Sequence, residues 1–312
     1  MDMGSGPNTA LQLYSIRTLS EPLPEILRRV GAAGYDGVEF AHRFHEESPR
    51  DIATALDDVG LEPVAVHADL PEVEAALDGE SDLLVRCRTV GCETLVIPHL
   101  SASELRTRSD IRSLSHRLRD AAADLKACDM QLGYHTGRRT FRPLLPDAAG
   151  RLTDETPIPT AVGEYTHRLL TALRAHDPTT IPSETPMWNL VARTKPSALM
   201  FEPEVAEIRE AGYDPCALFS LCSDRIRMVH IRDVAPAGPF QGYEDVPHGE
   251  GTVDMHAVLD AASDAGVDWV IYENELDSDP TAKIDHGAAT LERLLDGSGS
   301  SRSATRIPAT SS

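Results

Sequence analysis

The stretch GVEFAHRFHEESPRDIATALDDVGLEPVAVHAD, Gly37 to Asp69, reads as strand, helix, strand. GVEFAH (37–42) is a short apolar run, and the segment from about Pro49 to Gly60 carries a helical pattern. PVAVHAD (63–69) is a second short run rich in β-branched residues. Two strands joined through a helix lie parallel in one sheet.

The same rhythm recurs on both sides of this unit. ALQLYSIR (10–17) precedes LPEILRRVGAAG, which has apolar residues at helical spacing and a glycine stop. Downstream come a helix across 71–91, TLVIPHL (94–100), a long helix across 102–128, and QLGYHT (131–136). Then follow ALMFEPE (198–204), a helix near 214–223, IRMVHIRD (226–233), a helix near 254–265, WVIYENE (269–275) and a final helix near 282–296. Eight strands, each followed by helix, predict a (β/α)8 TIM barrel. A doubly wound open sheet is the alternative, but no glycine-rich dinucleotide loop follows the first strand. The expected organisation is one barrel over 1–297 and a disordered Ser/Gly/Thr-rich tail over 298–312. An insertion at about 142–182, after strand five, is too long for an ordinary βα loop and reads either as a lid or as a surface excursion.

Reactive groups of a barrel gather at the C-terminal ends of its strands. Here His42, His67, His99, His135 and His230 all fall at or near strand ends, and strands six and eight end on Glu202–Glu204 and Glu273–Glu275. Residues two apart share a strand face, so Glu202 pairs with Glu204, His230 with Arg232, and Glu273 with Glu275. A mixed imidazole and carboxylate rim suits a divalent ion such as Mn, Mg, Co or Zn. Glu204, His230 and Glu273 are the expected ligands, with Glu202 behind them as an acceptor.

Arg138, Arg139 and Arg232 can hold a phosphate or carboxylate, or else neutralise the chain's own acids. Tyr14 reads as pocket wall. His67, His99 and His248 read as substrate contacts, and His248 opens the glycine-rich turn HGEGTVD (248–254). Asp233 either orients His230 or caps the next element.

The chain resembles the sugar phosphate isomerase/epimerase family of the xylose isomerase-like barrel superfamily. The likeness rests on LQLYSIR, GYDGVEF, LGYH, FEPEVAEIREAGYDPCALF, VHIRD and GEGTVD in that order, and spans nearly all of the chain outside 142–182 and the tail. It implies one divalent metal and enediolate chemistry on a small sugar or sugar phosphate. It also implies that Glu204, His230 and Glu273 are ligands and that Glu273 is the base, with His135 available to assist. The chain departs from the family after LGYH. Gly137 stands where a second histidine is expected, and Thr140 where a metal-binding glutamate is expected. A keto-inositol dehydratase-like lyase and a metal-poor sugar-binding or accessory barrel remain alternatives.

Fifty acidic residues against 29 basic ones set a net charge of -21, which disfavours nucleic acid and anionic membrane as partners. Lys126, Lys195 and Lys283 are the only lysines. Few lysines and many carboxylates suggest a salt-adapted, haloarchaeal-type surface. Cys87, Cys92, Cys128, Cys216 and Cys222 form no CxxC pair and read as reduced thiols of a cytoplasmic protein. No run has the length of a membrane span, and a homo-oligomer stays open. On the high-salt reading, screening relieves self-repulsion. The thermal midpoint followed by circular dichroism should therefore rise from about 0.05 M to molar KCl, where a salt-indifferent fold would stay flat.

Overall fold

The computed structural model describes residues 6–148, 177–238 and 241–298. Most of the expected insertion and nearly all of the expected tail therefore lie outside the described residues. The strands are β1 (Asn8–Gln12), β2 (Gly37–Phe40), β3 (Glu62–His67), β4 (Thr94–Ile97), β5 (Gln131–Thr136), β6 (Met200–Pro203) and β7 (Met228–Ile231). A hairpin of β8 (Asp233–Gly238) and β9 (Gly242–Val246) follows, and then β10 (Trp269–Tyr272). Eight of these pair in parallel in the order β6-β5-β4-β3-β2-β1-β10-β7. Isolated parallel bridges Phe201–Ile226 and Glu204–His230 join the two ends of that order, so the sheet curls into a nearly closed barrel with helices around it. The expected (β/α)8 architecture is the one observed.

Local details differ from the sequence reading. The first strand stops at Gln12, and Leu13–Ile16 turn as a 3-10 helix. The helix expected across 71–91 is two helices, Leu70–Leu77 and Leu83–Val90, separated by a turn through Gly79 at φ +79°. The long helix begins at Arg108, where Thr107 accepts from the Asp110 N–H and Asp110 accepts back from Thr107. The β8–β9 hairpin had no counterpart in the strand–helix rhythm.

The barrel strands other than β2 and β5 divide their apolar side chains between two clusters. Leu11, Val38, Val66, Leu95, Phe201, Val229, Val270 and Tyr272 join the large cluster beneath the helices. Their neighbours Ala10, Ala65, Val96, Met200, Met228 and Ile271 form a separate cluster with Val64 and Trp269, which fills the barrel. Gly37 and Gly133 take positions where a Cβ would press on Val64 and Trp269 or on Val96 and Met200.

One step of the pleat beyond that apolar layer, the inward residues are Gln12, Glu39, His67, His135, Glu202, His230 and Glu273. Every barrel strand except β4 changes from apolar or glycine to polar at the same level. The layer of Met200, Met228 and Ile271 is thus the floor of the candidate site. Ile271→Ala should cost about 2–5 kcal/mol of unfolding free energy in urea titration. A loss under about 1 kcal/mol would mean that this layer is not close-packed.

Candidate active site

Glu39, Glu202 and His230 are fully buried, and the His67 side chain is 8% exposed. They form a ring of alternating charge. His67 Nε2 lies 3.2 Å from Glu39 Oε1 and 3.4 Å from Glu202 Oε2. His230 Nε2 lies 2.9 Å from Glu39 Oε2 and 3.3 Å from Glu202 Oε1. The Gln12 amide donates to Glu39 Oε2 at 3.1 Å. The other nitrogen of His230, Nδ1, sits 3.0 Å from Glu273 Oε2.

These short distances are not all hydrogen bonds. Glu39 Oε1, His67 Nε2, both Glu202 oxygens and His230 Nε2 are buried and lack a partner in hydrogen-bonding geometry, as does His135 Nε2. Buried polar atoms are normally paired, so this convergence is an exception that the site must explain.

Electrostatics follow from the packing. Burial opposes the charge of Glu39, but His67 and His230 outweigh it and hold its pKa well below the usual carboxylate range. Burial likewise opposes protonation of His67, yet Glu39 and Glu202 raise it to about 10. His230 is driven well above the usual imidazole value against burial, by Glu202 and Glu39. Burial and then the His230 charge push His135 down to about 4, so it is neutral at pH 7. Burial raises Glu204 well above its usual value against the pull of Arg232, and the Glu273 carboxylate adds to the rise. Glu273 is held low against burial by its hydrogen bonds to His230 and Glu204.

The structure brings together seven residues singled out from the sequence: His67, His135, Glu202, Glu204, His230, Arg232 and Glu273. Among the described residues, two groups have ligand atoms within 4.8 Å of one another: Glu39–His67–Glu202–His230 and His135–Glu204–His230–Glu273. Arg232 is buried and committed to the protein's own acids, with Nε 3.4 Å from Glu204 Oε2 and Nη1 2.6 Å from Asp245 Oδ1 on the hairpin. Thr140 is buried with its hydroxyl 2.6 Å from the Tyr134 hydroxyl and joins neither group.

The remaining residues stand farther out. A cavity of about 240 Å³ opens above His135, lined also by His99, Tyr134, Arg138, Arg139 and Glu207. Within it, Arg138 donates to Glu210 at 3.0 Å, and the His99 side chain is 74% exposed beside Asp69. Tyr14 is partly exposed, with the Arg17 guanidinium over its ring at 4.2 Å. His248 turns inward, its Nε2 2.9 Å from the Ile231 carbonyl and its ring stacked on Tyr272. Asp233 holds the glycine-rich turn. Its carboxylate accepts from the N–H groups of Val234, Gly249, Gly251 and Val253 at 2.9–3.2 Å.

Gln12 and Glu39 join the site without standing at an expected strand end. Their signal was the pleat rather than the strand end: each stands two residues beyond a small residue that faces the barrel interior, Ala10 and Gly37.

No family model and no curated protein matches the chain. Solved structures do match. A sugar phosphate isomerase/epimerase from Parabacteroides distasonis ATCC 8503 aligns with a TM-score of 0.68 at 18% identity, over 94% of this chain and 98% of that one. The IOLI protein with a bound zinc atom aligns at 0.67 and 13% identity, over 94% and 99%. The probable 3-DHS dehydratase AsbF of Bacillus anthracis aligns at 0.62 and 14%, over 91% and 98%. The chain has the fold of the xylose isomerase-like barrels.

A divalent ion, such as the zinc of that IOLI barrel, fits the residues present here. Unpartnered imidazole nitrogens and carboxylate oxygens converging in a buried layer are a suitable donor set. Among the described residues no helix is long and apolar enough to cross a membrane, and the five cysteines are free thiols. Asp233→Ala strands four backbone donors. It should lower stability by at least about 2 kcal/mol and speed amide exchange at Gly249 and Gly251; unchanged exchange would show that the turn holds itself.

Proposed function

We propose that the chain is a divalent-metal-dependent isomerase or epimerase of a small sugar or sugar phosphate, acting through an enediolate. The observation that carries this reading is the ring of buried, unpartnered ligand atoms at the mouth end of a xylose isomerase-like barrel. A bound divalent ion would polarise the substrate carbonyl and stabilise the enediolate.

The chain's own groups then have distinct tasks. Glu273, kept ionised by His230, accepts the proton from the carbon beside the carbonyl and returns it to the neighbouring carbon. His135, neutral and lining the cavity, carries a proton to or from a substrate oxygen. Arg139 and His99 at the cavity face the substrate's far end, where an arginine suits a phosphate or carboxylate. The family's second carboxylate is replaced by Thr140, which is tied to Tyr134. One base working on one face favours isomerisation over inversion.

A second reading is a dehydratase of the keto-inositol type. Its support is Glu204, whose raised pKa leaves it a proton to give to a departing hydroxyl. We take the enzyme to be cytoplasmic, salt-adapted in the haloarchaeal manner and independent of nucleic acid and membrane. We also take it to be a single barrel over 1–297 with an insertion at about 142–182 after strand five, followed by a tail over 298–312.

The test is solvent deuterium wash-in across a panel of keto-sugars, sugar phosphates and keto-inositols with metal supplied. Deuterium in a rearranged sugar supports the isomerase, and loss of water from the substrate supports the lyase. Sugar binding without exchange would leave the metal-poor binding barrel standing. Glu273→Gln should lower kcat by about 10²–10⁴-fold with the thermal midpoint nearly unchanged; full activity would remove it as the base.

A further inference from the structure

We propose that the ion of this barrel is held by Glu39, His67, Glu202 and His230, all in the inward layer one pleat step deeper than Glu204, rather than by the Glu204–His230–Glu273 set that the resemblance implies. The inference rests on the metal-dependent reading and names where that metal sits.

The first argument is the state of the donor atoms. In the deeper set, Glu39 Oε1, His67 Nε2, both Glu202 oxygens and His230 Nε2 are buried without a hydrogen-bond partner. Their nitrogen–oxygen separations are 2.9–3.4 Å. One donor atom from each of the four residues lies within 4.8 Å of the other three, close enough to converge on one centre, and the missing hydrogen-bond angles mean that these atoms do not satisfy each other.

The upper set is occupied differently. Glu204 Oε1 accepts from the Ala206 N–H at 2.9 Å, and Oε2 faces Arg232 Nε at 3.4 Å. An ion bound there would meet a buried guanidinium. Position 140, where a further carboxylate would be needed, holds a threonine bonded to Tyr134.

His230 decides between the two sets. Its Nδ1 lies 3.0 Å from Glu273 Oε2 and 3.3 Å from the Gln12 amide nitrogen, which has the nearer acceptor Glu39 Oε2 at 3.1 Å. With the proton on Nδ1 donated to Glu273, the Nε2 lone pair points at Glu39 and Glu202. Carboxylate, histidine and metal in that order is how ligating imidazoles are commonly oriented. Gln12 fixes Glu39 in the same way by donating to Oε2. Two imidazoles and two carboxylates also match the charge of Zn²⁺, Co²⁺ or Mn²⁺. His135, 4.8 Å from His230 between ring centroids, marks the side from which a substrate oxygen would approach. Glu273 is then left to handle the proton.

The experiment strips the full chain with chelator and titrates it with Co²⁺ by calorimetry and visible absorption. Glu39→Gln, His67→Gln and Glu202→Gln are compared with Glu204→Gln, each checked for folding by circular dichroism. The wild type should bind one Co²⁺. The three deeper variants should each weaken binding at least 100-fold, and Glu204→Gln should change it less than about threefold. Because a buried variant can fail to fold, an anomalous-difference map of wild-type crystals soaked in Zn²⁺ provides a direct check. A peak among Glu39, His67, Glu202 and His230 supports the assignment. A peak beside Glu204, or metal lost in Glu204→Gln but kept in the deeper variants, overturns it and leaves the metal-dependent reading intact. No binding by the wild type overturns both. Binding at the deeper set without exchange on any substrate overturns the isomerase reading alone.

Discussion

A carboxylate inside a barrel is tolerated only when its charge is compensated, and four glutamates are buried among the described residues: Glu39, Glu202, Glu204 and Glu273. The rest of the site is arranged around that requirement. His230 is central because its two nitrogens face different carboxylates, Nε2 toward β2 and β6 and Nδ1 toward the end of β10. Arg232, two residues farther along, serves Glu204. One short run of chain at the end of β7, His230 to Arg232, therefore compensates carboxylates that come from three other strands.

That arrangement accounts for parts of the fold that a bare barrel would not need. The β8–β9 hairpin supplies Asp245, which balances Arg232 from the outer side. Asp233 at the start of the hairpin gathers three N–H groups of the following turn, so the hairpin is anchored where the site begins. On the opposite flank, buried Lys283 donates to the carbonyls of Ser15 and Asn274, and Ser15 accepts from the Asn274 N–H. The ends of β1 and β10, which carry Gln12 and Glu273, are tied together by these bonds.

Much of this was legible in the sequence, and the misses have physical causes. Alternation of short apolar runs with helical periods depends on local chain geometry, and it identified all eight barrel strands. The histidines at strand ends were conspicuous because imidazoles seldom fall at such regular positions by chance. Glu39 was passed over because it sits inside GVEF between two core residues rather than at the strand end. Gln12 does not stand out because the run ALQLYSIR continues to Arg17, five residues beyond the end of β1. Arg138 and Arg232 were legible as cations, but their acidic partners Glu210 and Asp245 come from distant parts of the chain.

The sequence by itself determined the barrel, because a period of two in each strand and a helix after it leave few ways to bury both faces. It also determined that imidazoles and carboxylates crowd one end. Only the tertiary structure decided which carboxylate meets which histidine. Glu202 and Glu204 are equivalent by strand parity. Yet β6 ends at Pro203, and Glu204 turns to cap the helix Val205–Glu210 and face Arg232, while Glu202 points inward to His67 and His230. That difference arises where β6 meets β7 to close the barrel, through contacts between residues far apart in the chain. Local periodicity carries no record of such contacts.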